Sequence, residues 1–503
     1  MTTVMLSRVV GYVREVYIAW AFGAGKLTDA YNAGFTIPDW LNYLVAGGTA
    51  SITFVSIYTR FLTEKKEAEA QKTFSVIITV MTAVLAIGIV IAEIFTPELT
   101  RFWFGPGAQH GGFSQDQLDL CNHLTRILLP AQLFFYVGGV VSAVLLARRM
   151  FLLPALGPLI YNASIILGGV FFARWLGISS LAYGAVFGSV VGIFLISAIG
   201  AARAGAGYSF SFDTSNAAFR EWVKLSIPLM LGFSLVTVDD WLLRHFAAGS
   251  AGDISRLNYA KRLFQVPIAI LGQAAGQASF PFFARLFSEK RMREFSDTVN
   301  TSVSRLVAFS LLTASFMMST ALPLIDLAYR RGHFHFSDSQ ETAAYFFWFS
   351  LSLALWSAQA LYARAYYASG DTLVPMVAST IITVASYPMY AALFRTMSTT
   401  GLVIASDVGI SANCLVIAFL LHRNKLVSAR QLQWGELAKA GLTAVIAGLL
   451  SYEVGHVAKS GSRWGDIEAL ALSSVTWAGA TAAGLWLTRS ELLQQLRRGT
   501  VKA

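Results

Sequence analysis

The stretch FSVIITVMTAVLAIGIVIA, residues 74–92, is predominantly apolar and carries no charged side chain. A helix of about 20 apolar residues crosses the ~30 Å hydrocarbon core of a bilayer, so this stretch predicts a transmembrane helix. Similar stretches recur along the chain, for example SLLTASFMMSTALPLI at 310–325. The sequence therefore predicts an all-α polytopic membrane protein.

The composition supports a membrane location. Hydrophobic residues make up 55% of the 503 residues and charged residues 13%, against about 25% charged residues in soluble domains. The two cysteines, Cys121 and Cys414, offer neither a disulfide framework nor a metal-ligand spacing. The net charge of +10 is better explained by basic cytoplasmic loops than by nucleic-acid binding. We expect no nucleic-acid partner.

Fourteen transmembrane helices account for the apolar pattern. We place them at 1–22, 29–60, 74–97, 123–147, 152–174, 180–203, 218–247, 255–286, 298–329, 342–368, 373–395, 400–422, 434–457 and 467–488. Most Lys and Arg residues outside these spans fall on the side that holds both ends of the chain. The positive-inside rule therefore predicts that both termini are cytoplasmic.

An internal repeat divides the chain. FTIPDWLNYLVAGGTASITF at 35–54 and FQVPIAILGQAAGQASFPF at 264–282 share Phe-x-x-Pro, a Gly nine positions after the Pro, and Ala-Ser-x-x-Phe. Two further pairs match in the same order: 96–107 with 322–334, and 147–154 with 368–375. Six helices separate the copies, so both copies have the same orientation.

The repeat predicts two parallel six-helix lobes followed by a C-terminal helix pair. The predicted domains are 1–210, 211–425, and 426–503, which holds helices 13 and 14 and a cytoplasmic tail. Transporters built this way hold their substrate between the halves, near the bilayer midplane.

Ionisable residues inside the spans are the candidate binding residues. Such groups usually face a bundle interior or a water-filled cavity. The candidates are Arg8, Arg14 and Glu15 in helix 1, Asp39 in helix 2, Asp239 and Asp240 in helix 7, and Lys261 and Arg262 in helix 8. Cations near the start of each half predict an anion-binding cavity, and Arg suits a phosphate by two-point hydrogen bonding. Alternatively, Arg8 reaches the cytoplasmic surface along its aliphatic stem, and Asp239 caps a helix or faces the outer surface.

Enzyme signatures are missing from the sequence. It has no phosphate-binding G-x-x-x-x-G-K-[ST] loop, no G-x-S-x-G elbow and no H-E-x-x-H motif. His333 and His335 are spaced like metal ligands, but we interpret them as part of an external loop. We expect a transporter and not an enzyme, with no metal and no cofactor.

Several motifs carry a family resemblance. SRVVGYVREVYIAWAFGAGKLTDAYNAGFTIPDWL at 7–41 resembles the N-terminal signature of the MurJ (MviN) family. That family comprises the lipid II flippases of the multidrug/oligosaccharidyl-lipid/polysaccharide exporter superfamily. LPALGPLIYN at 153–162, YAKRLFQVPIAILG at 259–272 and YASGDTLVPM at 367–376 resemble the family in register. The resemblance spans about residues 6–425, and helices 13 and 14 fit the family's extra pair, thought to form a groove for the lipid tail.

The resemblance implies roles for particular residues. The family's helix 1 arginine and the acid after it fall on Arg14 and Glu15, and its helix 8 arginine falls on Arg262. The family's small-residue gate loop falls on Gly23, Ala24 and Gly25.

An ion site is a further implication of the resemblance. It would use a helix 7 acid, Asp240, with Asp239 beside it. Relatives that bind sodium pair such an acid with helix 11 groups, and MVASTIITVASYPMYAALF at 376–394 contains neither an amide nor an acid. We therefore do not expect sodium.

Four positions depart from the family pattern. Trp20, Asn42 and Tyr43 stand where relatives usually carry arginine, and Gly47 stands where they carry an acid. The resemblance therefore implies fewer cavity charges than usual.

The sequence as a whole indicates a flippase that moves a polyprenyl-diphosphate-linked glycan, with lipid II the leading substrate, from the inner to the outer leaflet by alternating access. The alternatives are an exporter of another lipid-linked saccharide or amphiphile, and a non-transporting scaffold for wall synthesis. The expected location is the bacterial inner membrane. The expected partners are the lipid-linked substrate and membrane lipids, with cell-wall synthesis enzymes as further candidates.

Overall fold

The computed structural model describes residues 2–46, 49–106, 111–231, 235–458 and 463–492, and within these ranges the chain is helical with no β-strand. It forms two compact units: 1–232 with 247–255, and 233–246 with 256–503. We call them the first and second units. The predicted all-α membrane architecture is confirmed.

The first unit contains twelve α-helices in its described residues. They are α1 Thr2–Phe22, α2 Lys26–Gly34, α3 Thr36–Ala46, α4 Thr49–Thr63, α5 Glu67–Ile94, α6 Thr96–Phe104, α7 Gln115–Leu128, α8 Ala131–Ala147, α9 Leu152–Leu176, α10 Ser179–Gly188, α11 Ile196–Arg203 and α12 Ala217–Leu231. A π-helical segment, Ser189–Leu195, joins α10 to α11.

The second unit holds the remaining helices of the described chain, α14 beginning three residues before its boundary. They are α13 Leu235–Ala247, α14 Asp253–Ile268, α15 Ala274–Ser288, α16 Met292–Ser319, α17 Ala321–Tyr329, α18 Phe336–Leu351, α19 Leu353–Ala368, α20 Leu373–Arg423, α21 Trp434–Ala458 and α22 Arg463–Leu487. A π-helical segment, Ala269–Gln273, joins α14 to α15, and a 3₁₀ turn, Ala429–Gln431, precedes α21.

The two units repeat the same order of helix lengths. α5 and α16 both have 28 residues, and α6 and α17 both have nine. The turn before each long helix contains a lysine with positive φ, Lys65 at 59° and Lys290 at 57°. These correspondences support the internal repeat found in the sequence.

A turn with the same backbone conformation occurs in both units, with a glycine in the first unit and a serine in the second. Gly177, after α9, has φ 55° and ψ −140°. Ser398 has φ 55° and ψ −144°, and it breaks α20 into two helices. These angles are freely available to glycine and sparsely populated by other residues.

Several predicted spans are interrupted. The predicted helix 29–60 was wrong as one continuous element, because α2 ends at Gly34, α3 begins at Thr36 and α4 begins at Thr49. The predicted helix 255–286 contains the π-helical segment, two residues after Pro267, which has no N–H to donate to the ladder.

The number of membrane crossings stays a prediction. Among the described residues, eight helical segments are long and apolar enough to cross a bilayer, counting α7–α8 and α10–α11 as one segment each, and the bent pair α18–α19 would make nine. Interrupted segments such as α2–α4 are too short to meet that criterion one by one. The division at residue 210 also stays a prediction; α12 packs with α3, α4 and α5 of the first unit.

Each unit has its own aromatic core. In the first, Phe54 and Tyr58 of α4 pack with Phe74 of α5 and Trp222 of α12, all buried. The core of the second contains, among others, Phe283, Phe295, Tyr366 and Ile417. α21 packs against α16 through a smaller apolar cluster that includes Ala308, Leu312 and Ala440.

Candidate functional site

Arg14 and Glu15 form an ion pair on α1. The Glu15 carboxylate accepts a hydrogen bond from Arg14 Nη2. Arg14 Nη1 donates to Asn162 Oδ1 on α9 at 2.8 Å. The side chains of Arg14 and Glu15 are 17% and 4% exposed, so the guanidinium is held in a largely enclosed position.

Asn162 is a site residue that the sequence analysis quoted within a motif but did not select. Its Nδ2 donates to the Pro158 carbonyl oxygen, 2.8 Å away, and this bond turns its Oδ1 toward Arg14. Gly11 of α1 faces Asn162, and a Cβ on Gly11 would lie 3.6 Å from Asn162 Nδ2, an ordinary contact distance, so the approach does not require glycine. An amide one turn after a proline in an apolar helix was the available signal.

The other first-unit candidates, Arg8 and Asp39, are more exposed than Glu15. Arg8 is exposed, nearly two turns before Arg14, and Asp39 is half-buried in the first turn of α3. Neither is among the hydrogen-bond partners of Arg14. Their roles in substrate binding stay predictions. At one departure from the family pattern, Asn42 Nδ2 donates to Gln132 Oε1 at 2.6 Å; another, Gly47, lies outside the described residues.

The predicted gate loop, Gly23, Ala24 and Gly25, connects α1 to α2. The Gly23 carbonyl accepts a hydrogen bond from Thr28 Oγ1 at 3.0 Å. Gly23 has φ 71°, in the left-handed region, whereas Gly25 is extended at φ −167° with open space where a Cβ would be. Only the first of these two glycines is required by its backbone conformation.

Gly23→Ala is therefore expected to destabilise the α1–α2 connection by about 1–2 kcal/mol, the cost of a Cβ in a left-handed conformation. Gly25→Ala, two residues away, should leave the melting temperature of the purified protein within error. Thermal unfolding of both variants in the same detergent measures the difference. Equal losses of stability would show that flexibility and not φ selects these glycines.

Asp29 is a second site residue missed in the sequence. It is completely buried on α2 and accepts hydrogen bonds from the backbone N–H groups of Gly252 and Ser255, and from Ser255 Oγ at 2.6 Å. These donors belong to the first turn of α14 and the residue before it. A carboxylate is favoured there by the free N–H groups and the dipole of a helix N-terminus. Asp29 thus fixes the beginning of the helix that carries Lys261 and Arg262.

Lys261 is engaged by two carboxylates within the second unit. Its ammonium on α14 contacts the carboxylates of Asp239 and Asp240 on α13. The Lys261 and Asp239 side chains are 7% and 3% exposed, whereas Asp240 is 36% exposed. The expectation of an outward-facing Asp239 is therefore wrong, because its charge is paired inside the unit.

Asp239 also joins α13 to α20. Its carboxylate accepts hydrogen bonds from the hydroxyls of Tyr390 and Ser406, the latter at 3.0 Å. Asp239 and Asp240, the two acids of the candidate ion site, therefore share the Lys261 ammonium as their counter-charge. In the described residues no group of three or more His, Cys, Asp or Glu side chains could hold a metal ion.

Arg262, next to Lys261, has a different environment. It is half-buried, and its Nη1 donates to Gln265 Oε1 one turn along α14 at 3.4 Å. It also interacts electrostatically with Asp240, as does Arg244. Of the two adjacent cations, Arg262 is less enclosed by protein than Lys261.

The fold assigns a class. A solved lipid II flippase MurJ in an inward closed conformation is similar to this chain with a TM-score of 0.79 at 21% identity, covering 96% of this chain and 98% of that chain. An inward-facing multidrug resistance MATE family transporter of the MOP superfamily has a TM-score of 0.65 at 13% identity, with 84% and 98% covered. The chain therefore has the fold of the transporters of this superfamily.

Sequence comparison then identifies the family. A family model for lipid II flippase MurJ matches residues 18–464. The lipid II flippase MurJ of Burkholderia cenocepacia is 26% identical over 499 residues, 96% of this chain and 95% of that protein. The probable lipid II flippase MurJ of Rhizobium tropici is 24% identical over 425 residues, 83% and 78% of the two chains. The chain belongs to the lipid II flippase MurJ family, which confirms the resemblance seen in the sequence.

Proposed function

We propose that this chain is a transporter that moves lipid II from the inner to the outer leaflet of the bacterial inner membrane. The observation that carries the proposal is the family match over residues 18–464. The relatives that match along most of their length are themselves named as lipid II flippases. The all-helical, multi-pass architecture is the architecture that such a function requires.

The chemistry of the substrate explains the enclosed arginine. A glycan diphosphate cannot enter about 30 Å of hydrocarbon without losing its hydration, which costs many kcal/mol for a charged group. A guanidinium held within the protein can replace part of that hydration by two-point hydrogen bonding. Arg14 is positioned for this role by Glu15 and Asn162, and its side chain is still 17% exposed.

The transport cycle in this proposal is alternating access, with both termini in the cytoplasm. The support for the orientation is the concentration of Lys and Arg in the loops on the side of the termini. The proposal involves no cofactor. Recruitment of cell-wall synthesis enzymes stays a prediction.

Rescue of cells depleted of their own lipid II flippase tests the function. The wild-type chain should restore growth and cell shape, and Arg14→Ala, expressed at the same level in the membrane, should not. Rescue that is indifferent to Arg14→Ala would favour a scaffold for wall synthesis. Lack of rescue by a wild-type chain present in the membrane at normal levels would contradict the assignment of lipid II.

The second candidate, export of another lipid-linked saccharide, is supported by the departures at Trp20, Asn42 and Tyr43. Binding of purified protein to lipid II and to a polyprenyl-diphosphate glycan that lacks the peptide separates the two. Preference for lipid II supports the main proposal, and equal or weaker binding of lipid II supports the second.

A further inference from the structure

Asp407 is a buried carboxylate without a hydrogen-bond partner. It lies in the C-terminal half of α20 and is 8% exposed. Both of its carboxylate oxygens are enclosed, and neither accepts a hydrogen bond from the residues that the structure describes. A buried ionised carboxylate without hydrogen bonds or a neighbouring cation of its own is strongly disfavoured.

The groups that face Asp407 come from four helical segments. Asp239 of α13 and Lys261 of α14 are near enough to act on it electrostatically. Tyr390, in the other half of α20, interacts with it in the same way, and its hydroxyl donates to Asp239. Ser352, between α18 and α19, is also close, but its hydroxyl donates to the Phe349 carbonyl oxygen at 3.0 Å.

The charges of this cluster do not balance with Asp407 ionised. Among its buried groups, Asp239 and Asp407 would supply two negative charges and Lys261 supplies one positive charge. Lys261 is already shared by Asp239 and Asp240. Arg244 and Arg262 act on Asp240, the most exposed of the three carboxylates. Among the described residues, Asp407 alone therefore has no cation in contact with it and no donor that meets hydrogen-bond geometry.

A proton satisfies this arrangement better than a metal ion. Sodium would need several oxygen ligands and would meet the Lys261 ammonium, which already contacts both acids of α13. A proton on Asp407 removes the unpaired charge and needs no additional ligand.

We propose that Asp407 is a proton-binding site, occupied in the arrangement seen here, and that its deprotonation draws the Lys261 ammonium from Asp240 toward Asp407. Asp240 is the partner that can be released, because it is the exposed one and water can hydrate it. Proton release therefore changes the contact between α13 and α14. In a flippase, as proposed above, this exchange would couple proton binding to the transport cycle.

Infrared spectroscopy of the purified full-length protein tests the site without requiring transport. The wild-type protein should show the C=O stretch of a carboxylic acid that accepts no hydrogen bond, at a pH well above the usual Asp pKa of about 3.9. Asp407→Asn should lose this band, and Asp297→Asn, an exposed residue of α16, should keep it. A band that persists in Asp407→Asn, or is missing from the wild-type protein at all neutral pH values, would overturn the proposal.

Asp240→Asn provides a second test by the same infrared band, in a variant that retains Asp407. Without Asp240, Lys261 is free to stabilise ionised Asp407, so the band should disappear at a pH lower by about one unit or more. An unchanged titration would contradict the exchange of Lys261. This variant also tests the site if Asp407→Asn does not fold.

Translocation assays in liposomes then connect the site to the proposed function. The wild-type rate should vary with pH, and the Asp407→Asn rate should not. An assigned Asp407 band in a protein that moves no lipid II would contradict the flippase function and leave the proton site standing. Translocation whose pH dependence survives Asp407→Asn would overturn the coupling.

Discussion

Arg14→Ala is expected to weaken binding of lipid II to the purified protein by about 10- to 100-fold. This range corresponds to the loss of a charge-assisted hydrogen bond, about 1.5–3 kcal/mol. Arg14→Lys should bind with intermediate affinity, because lysine keeps the charge but not the planar fork. Equilibrium binding of lipid II in nanodiscs measures the affinity of the wild-type protein and of both variants.

Glu15→Gln is the matched variant within the same ion pair. Arg14 should keep its bond to Asn162, so Glu15→Gln should bind lipid II as well as or better than the wild-type protein. It should turn over slowly, because Glu15 balances the arginine when no substrate is bound. If Glu15→Gln loses binding as completely as Arg14→Ala, then the two residues act as a single structural ion pair.

The neighbours Lys261 and Arg262 are expected to respond in opposite ways to the same substitution. Lys261→Met should destabilise the protein by about 3–5 kcal/mol, because it leaves Asp239 buried without its cation. Arg262→Met should unfold near the wild-type temperature, because Arg262 is only half-buried. It should lose translocation if Arg262 binds the substrate. Thermal unfolding in detergent and translocation in liposomes give the two readouts.

A double variant checks the cause of the expected instability. Lys261→Met combined with Asp239→Asn removes the buried charge together with its partner, so it should recover part of the stability lost in the single variant. If Lys261→Met is as stable as the wild-type protein, burial does not distinguish these two cations. The same conclusion follows if Lys261→Met and Arg262→Met lose the same amount of stability.

The sequence predicted the fold from local and periodic information. Apolar stretches of membrane length and the repeated Phe-x-x-Pro pattern require only a short window or a comparison of two windows. The interruptions within these stretches were missed at α2–α4, because an apolar pattern continues through Phe35 although the helix does not. Hydrophobicity specifies which side chains avoid water, and it leaves the backbone path within the membrane open.

The partners of the charged residues could be predicted much less completely. Arg14, Lys261 and Arg262 were selected because charge is unusual inside apolar helices, but Asn162 is 148 residues from Arg14. From the sequence, the expected partner of Asp239 and Asp240 in predicted helix 11 is an amide or an acid. The structure instead has the hydroxyl of Tyr390 donating to Asp239. Pairings of this kind depend on how helices distant in sequence pack, which a single sequence does not contain.

The turn shared by Gly177 and Ser398 bears on how such a chain changes over generations. Because a serine holds in one unit the backbone conformation that a glycine holds in the other, the flanking helices must impose this turn on whichever residue is present. The cost of a side chain there, about 1–3 kcal/mol, is small enough for a well-packed unit to tolerate. Two copies of one ancestral unit can therefore diverge even at their most demanding turns while the inherited path of the chain stays the same.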